Sequence, residues 1–399
     1  MAELNSETVL QLAPALTLQL GSPSTIHLGG RQINAPSNVL AILDAFSHPV
    51  QYSAAVKNLS ARVSGAQAWI ELVSNIRALH NAGVLVDESG AAPHATVGWA
   101  SPQVHIAMLN DRARTEAFIA AINATVRPDD VVVDIGTGTG VLSLAAARAG
   151  ARHVYAIEAT EMGRTARDLF VANGFGDRIT LLEGWSNQIN LPEKASVLVA
   201  EIIGNDPLDE GVMESFADAR KRFLTPDARI IPARARTYGF ALEVAHEQYE
   251  KFAFQPDQTL NWREWYGLDF AGLLDSAVNK SMVIRAVPHE TRSWPQLSDA
   301  ILLADLDLGG DQHPLVNEAV EFTIRKDGLM TGFLTYFELD VGAGQQLATA
   351  PEKAGEKNSW AVKIYLNGSP TKVKKGDRYK AIYTYRVASS DTKVEIVPA

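Results

Sequence analysis

Cysteine is missing from all 399 residues. Disulfides and thiolate-ligated metal sites are thereby excluded. The nine histidines are scattered, with no H-E-x-x-H or comparable spacing, so no metal site is expected. No apolar run reaches the ~18 residues of a membrane-spanning helix, so no membrane partner is expected. Positive charge is in deficit: 36 Lys and Arg stand against 46 Asp and Glu, giving a net charge of −10. This disfavours nucleic acid as the main partner and suits a cationic substrate, although a solvated acidic surface has the same composition. The start, MAELNSETVLQ, is acidic and lacks a basic n-region, so no secretory signal is expected and a cytoplasmic location is. The length suits two or three domains of ~100–200 residues each.

What is present centres on Val131–Val141, VVVDIGTGTGV. An apolar run closing on an acid reads as a buried parallel strand. Glycine then recurs at every second position, Gly136, Gly138 and Gly140, before a helical segment, VLSLAAARAG. Such glycines let the backbone turn sharply and approach a ligand. The next strand, VYAIE, ends on Glu158, where a carboxylate can accept from two ribose hydroxyls. A nucleotide-type cofactor is implied. The G-x-G-x-x-G spacing of dinucleotide sites is absent. D-x-G-x-G-x-G, beginning at Asp134, resembles motif I of class I S-adenosylmethionine (SAM) methyltransferases, which implies SAM as the cofactor.

Three regions are expected: 1–95, 96–232 and 233–399. In the first, Leu16, Leu18 and Leu20 alternate, as do Ile26 and Leu28, which predicts a hairpin. Helices are predicted from Pro36, over 52–63 and over 66–82, then a short strand at AGVL and a linker at ESGAAPHAT. This small α+β pattern is similar to a winged helix and to the PqqD-like modules that bind leader peptides; a purely structural appendage fits it equally. Residues 96–232 alternate strand and helix, the pattern of a doubly wound parallel sheet. After Pro232 come β-branched and aromatic runs with period two, which predict an antiparallel barrel or sandwich. A helical interruption at about 245–280 carries Trp262, Trp265 and Tyr266.

A strand predicted at 196–201 ends in Glu201, and Glu210 follows across EIIGNDPLDE. Two carboxylates bracketing a loop at the C-terminal end of a parallel strand lie where open α/β sheets bind ligands. Together they can clamp a planar guanidinium, leaving its third nitrogen free to attack. On spacing alone, an acidic loop with a Glu capping the next helix is the better explanation.

Several dispersed motifs in order make 96–399 resemble the protein arginine methyltransferases: HIAMLNDRART at 105–115, the SAM turn with Glu158, the paired glutamates, WREWYGLDF at 262–270, and LATAPEKAGEKNSWAVKIYL at 347–366. The resemblance implies a Rossmann-like SAM domain followed by a β-barrel bearing a dimerisation arm, hence a homodimer acting on a peptide or protein. It implies that His105, Met108 and Arg114 fold over SAM, with Arg114 holding its carboxylate. Asp134, Gly136, Gly138, Gly140 and Glu158 complete the cofactor site. Glu201 and Glu210 are the implied catalytic pair, and Trp99 and Trp360 the implied substrate contacts. Asn187, in the turn after the third strand, could bond the adenine amine or serve the turn alone. The residues alone leave His105 equally a packing or helix-capping histidine, and favour Trp360 as barrel core. Departures are specific. The family's Thr-His-Trp is here Asn358-Ser359-Trp360, and its aromatic-rich loop between the glutamates is IIGNDPLD, with Ile203 where a bulkier residue usually stands. The expected reaction is methyl transfer to an arginine guanidinium of a peptide or protein, with a natural-product precursor as one substrate class. A non-arginine side chain or small molecule is the alternative, and a silent scaffold the third reading.

Overall fold

A computed structural model describes residues 8–399 apart from 14–15, 22–23, 29–30, 37, 64–65, 88–98, 100, 253–255, 274–281, 311–316 and 387–390. The chain divides into two compact units, Met1–Val104 and His105–Ala399. The linker expected at ESGAAPHAT lies outside the described residues.

In the first unit, β1 (Val9–Leu12), β2 (Thr17–Gln19), β3 (Thr25–Leu28) and β4 (Arg31–Asn34) precede α1 (Val39–Ala45), β5 (Val50–Gln51), α2 (Tyr52–Ser60), α3 (Ala66–Asn81) and β6 (Leu85–Asp87). The predicted hairpin is β2–β3, and β4 extends it to a meander. β1 escaped the sequence reading; it lies between β5 and β6 in an antiparallel sheet. Leu10, Ile26, Ile42, Phe46, Leu72 and Ile76 form the buried centre. The apolar spacing of α3 puts Leu72, Ile76 and Leu79 inside and leaves Trp69 46% exposed.

After α4 (Pro102–Asn110), the second unit runs α5 (Arg112–Thr125), β7 (Val131–Ile135), α6 (Val141–Arg148), β8 (His153–Glu158), α7 (Met162–Ala172), β9 (Ile179–Glu183), β10 (Ala195–Ala200), α8 (Val212–Arg222) and β11 (Leu224–Ile231). The five strands form a parallel sheet in the order β11–β10–β7–β8–β9. β7 is buried along its whole length, which is why it reads as a continuous apolar run. On α7, Met162, Ala166 and Phe170 recur at helical spacing and face the sheet. The register sets Ile135 beside both Ala200 and Ile157. The residues that follow them, Gly136, Glu201 and Glu158, therefore emerge at one end of the sheet. Strand order reverses between β7 and β10, the place where open α/β sheets bind ligands.

The rest is antiparallel. β12 (Arg234–Leu242), α9 (His246–Phe252), α10 (Pro256–Tyr266), β13 (Met282–Ala286), β14 (Ile301–Asp307), β15 (Asn317–Thr323), β16 (Gly328–Gly342), β17 (Gln345–Ala348), β18 (Val362–Val373), β19 (Arg378–Arg386) and β20 (Asp391–Pro398) follow in sequence. One sheet runs β13–β18–β16–β12–β14, with β17 on β16; a second runs β15–β19–β20. The expected helical interruption is α9 and α10. One continuous core joins the two halves of this unit: Val133, Ile203 and Phe216 lie in the same buried cluster as Phe333, Phe337 and Trp360. Among the described residues no helix is long and apolar enough to cross a membrane.

Candidate active site

The glycine turn is built from below. Asp134 is 1% exposed, and its Oδ2 accepts from the hydroxyls of Thr137 and Ser143, each at 2.7 Å. Burial raises its pKa to about 6, with both hydroxyl donors opposing the rise. Asp134 thus stiffens the turn from within, through its Oδ2. Gly140 has φ +81°, and a Cβ there would meet Phe170 at 2.3 Å. Gly138 has φ +54°, and its Cβ would strike His105 Cε1 at 2.8 Å. Backbone conformation and space together demand glycine at these two positions. Gly136, at φ +76°, belongs to the same turn.

Glu158 is buried at the end of β8. Its Oε2 accepts from Gly138 N and its Oε1 from Thr160 N, both at 2.8 Å. Each oxygen keeps a further lone pair, enough for two ribose hydroxyls. His105 packs on the turn from α4, and Met108 lies half-buried one helical turn on. Asn187 sits in a short turn after β9 and is exposed. Trp99 precedes α4 in the first unit and is 38% exposed.

Asp111 caps α5 by accepting from Arg114 N at 3.3 Å. Capping aims Arg114 inward, where it is 7% exposed. The guanidinium ion-pairs with Glu201, and Nη1 donates to Ser359 Oγ at 3.4 Å. Its carbon lies 4.9 Å from the centre of the Trp360 ring, a cation–π distance. Burial lowers the Arg114 pKa to about 10, with Asp111 opposing, so it stays charged at neutral pH. Arg114 was expected to hold the cofactor's carboxylate; here its charge is met by Glu201. Its Nε, however, is buried with no hydrogen-bond partner among the described residues. A buried donor left over on the arginine that pairs with Glu201 fits SAM, whose carboxylate would take it.

Trp360 is 6% exposed; Nε1 donates to Ile203 O at 2.9 Å, and Phe337 packs edge-on at 5.1 Å. It braces the loop between the glutamates from within the core, where no open face remains as a substrate platform. Ser359 takes up the position of the missing histidine by donating from N and Oγ to Asp111 Oδ2, at 2.8 and 3.1 Å. Asp111 therefore ties α5 to the segment entering β18, a role the sequence did not reveal.

Glu201 Oε1 is buried and has no hydrogen-bond donor among the described residues. Glu210 closes the loop with its own backbone at φ +63°, and its Oε1 lies 2.5 Å from where a Cβ on Gly204 would stand. Glu210 is exposed as a residue, but desolvation of its carboxyl and then the adjacent Asp209 raise its pKa to about 7, with Arg285 and Lys363 opposing. The loop thus holds an unsatisfied acceptor at one end and a poorly compensated carboxyl at the other.

The model of the ribosomal protein L11 methyltransferase (PrmA) family matches residues 111–271. Protein arginine N-methyltransferase 1 of Schizosaccharomyces pombe is 29% identical over 296 residues, 72% of this chain and 83% of that protein. A probable histone-arginine methyltransferase 1.3 of Arabidopsis thaliana is 39% identical over 177 residues, 43% of this chain but 32% of its own length. Among solved structures, the PRMT1 enzyme–prozyme heterotetramer of Trypanosoma brucei with AdoHcy superposes with a TM-score of 0.62 at 23% identity, covering 75% of this chain and 93% of that one. Protein arginine methyltransferase 10 of Arabidopsis thaliana gives a TM-score of 0.58 at 20% identity, covering 75% and 97%. The structural likenesses carry the fold, and the sequence likenesses carry the methyltransferase activity. The chain is an S-adenosylmethionine-dependent methyltransferase similar to the protein arginine N-methyltransferases.

Proposed function

We propose that the enzyme methylates a guanidinium nitrogen of arginine in a peptide or protein. The observation that carries this reading is the buried Oε1 of Glu201, without a hydrogen-bond donor among the described residues, at one end of a loop whose other end is Glu210. A guanidinium supplies five N–H donors in a planar fork, the complement of two carboxylates that bracket one loop. Glu158, the glycine turn, His105, Met108 and Arg114 Nε are the residues that would hold SAM. When bound, SAM supplies an electrophilic methyl group on its sulfonium. The protein's part is alignment and charge placement. Glu201 and Glu210 fix the guanidinium charge on two nitrogens and leave the third its lone pair. The attacking nitrogen becomes acidic as it is alkylated, and Glu210 or a water takes its proton. Incubating the enzyme with isotopically labelled SAM and arginine-containing peptides should place label on a guanidinium by fragment mass spectrometry. Label found only on other side chains would replace the arginine reading with the alternative substrate class.

The antiparallel region is read here as the barrel-type substrate domain, over 233–399, and 96–232 as the SAM domain. The arm hypothesis rests on exposed apolar side chains: Leu260, Trp265, Tyr266 and Leu268 are 68%, 63%, 62% and 59% exposed. Several exposed large apolar side chains on one short segment mark a protein interface. Light scattering should give a homodimer, and Leu260→Glu with Trp265→Glu should give monomers of reduced activity. A wild-type monomer at micromolar concentration would remove the arm's role.

Residues 1–95 are read as a winged-helix-type, PqqD-like module that captures the substrate peptide, on the strength of its small antiparallel sheet and three helices. Its removal should raise the peptide KM far more than it lowers kcat, the mark of lost uniform binding. A fall in kcat alone would make the module structural. A cytoplasmic enzyme acting on a ribosomally made precursor is consistent with this arrangement.

A further inference from the structure

The loop between the two glutamates is stitched to one short stretch of chain. Ile203 O accepts from Trp360 Nε1 at 2.9 Å, and Asn205 Oδ1 from Ala361 N at 2.7 Å. Asp209 accepts from Lys363 Nζ, with Oδ1 at 2.7 Å and Oδ2 at 2.5 Å. Lys363 is the unusual member. It lies in β18 among the buried Val362, Ile364, Tyr365 and Leu366, and is itself 2% exposed. An ammonium at such a place needs a counter-charge and further acceptors. Asp209 supplies the charge, and Thr392 Oγ1, at 3.0 Å, a second acceptor. Asp206, 1% exposed, accepts from Tyr383 OH at 2.8 and 2.9 Å, from Thr392 Oγ1 at 3.4 Å and from Leu208 N at 3.0 Å, so β19 and β20 also hold the loop.

The residue directly after Asp209 is Glu210, a non-glycine at φ +63°. A left-handed backbone at a side-chain-bearing residue persists only where its surroundings impose it. Lys363 clamps the preceding residue, and the Glu210 carboxyl then lies across Gly204, where any Cβ would collide with it. We propose that Lys363 is the positioning residue of this active site: through Asp209 it holds Glu210 in the left-handed turn that presents its carboxylate to the substrate. The proposal rests on the guanidinium reading and names the device that sets the second carboxylate. The clamp also acts through charge. The groups facing Glu210 are Asp209 from its own loop, Lys363 from β18 and Arg285 from β13; the first raises its pKa and the two cations lower it.

The test uses the full chain, an arginine peptide and labelled SAM. Lys363→Met leaves Asp209 buried without its cation, so Lys363→Met/Asp209→Asn is made beside it to remove both charges and keep the fold. Calorimetry on SAM checks that the cofactor site is intact; affinity within about twofold of wild type is expected, because neither residue is among those that would hold SAM. The double variant should lose at least tenfold in kcat. In Lys363→Met alone, the acid limb of the kcat/KM–pH profile should move to higher pH, because a cation that favours ionised Glu210 is gone. The decisive comparison repeats the pair in a Glu210→Gln background. If Lys363 acts through Glu210, the same substitutions there cost little more, a strongly non-additive cycle. Wild-type guanidinium methylation with fully additive losses, or an unmoved pH limb and kcat, would overturn the positioning role alone. Absence of guanidinium methylation by the wild-type enzyme would overturn the functional reading and this proposal together.

Discussion

Glu201→Gln and Glu210→Gln should each lower kcat/KM for an arginine peptide by roughly 30- to several-thousand-fold. That range is the ~2–5 kcal/mol typical of truncating one partner of a desolvated charge pair, converted at ~1.4 kcal/mol per decade. Glutamine keeps the size but replaces one acceptor by a donor that faces the guanidinium's own donors. The two variants should differ in a second respect. Glu201 is ion-paired with Arg114, which also carries the unpartnered Nε assigned to the cofactor, so Glu201→Gln should weaken SAM as well. Glu210 has no such tie, and its variant should bind SAM normally. The pH dependence separates them further. Glu210, raised to about 7, is protonated below that pH and then offers a neutral O–H where a carboxylate is needed. For wild type, kcat/KM should therefore fall as pH drops through about 7, and the limb should vanish in Glu210→Gln. Near-wild-type turnover in both variants would mean that the substrate is not a cation.

The parallel-sheet half was legible because its signals are local. β7 is apolar throughout, the glycines demand left-handed backbone within five residues, and Glu158 closes the next strand. β11 was not legible. Its sequence, LTPDARII, holds a proline and two charges, and reads as a connector. The structure makes it an edge strand, paired at Ala195↔Leu224 and again from Val197↔Arg229, with a register shift between, so the polar middle escapes the ladder. The site shows the same division. The glutamate spacing and the capping position of Asp111 could be read locally, whereas the second use of Asp111 lies 248 residues away at Ser359. Lys363 reads as an outward residue of an alternating strand, because its partner Asp209 is 154 residues earlier. Long-range polar pairing has no periodicity and leaves no mark on a single sequence. Arg114 stood between these cases: the motif named it, but the carboxylate it was expected to hold belonged to the cofactor, and the fold gave it Glu201 as well.

That double duty makes Arg114→Met the substitution with the widest consequences. Both side chains of the Arg114–Glu201 pair are nearly sealed, at 8% and 12% exposure. Removing the arginine strands a buried carboxylate, and breaking such a pair costs about 3–5 kcal/mol. The variant should unfold several degrees earlier than wild type at neutral pH, lose the cation–π contact with Trp360, and bind SAM weakly because Nε is gone. Its penalty should shrink in acid. A carboxyl buried without its cation has a folded-state pKa above its unfolded value, so its burial is tolerated below the unfolded pKa and opposed as pH rises through the folded one. Adding Glu201→Gln to Arg114→Met should recover much of the lost stability, since no lone charge remains, while leaving SAM affinity and turnover low. Thermal unfolding at two pH values and calorimetry on SAM, across wild type, both single variants and the double, distinguish a charge pair from ordinary packing. If the double variant is no more stable than Arg114→Met, or if Arg114→Met binds SAM as tightly as wild type, the coupling of cofactor and substrate carboxylates through this arginine is wrong.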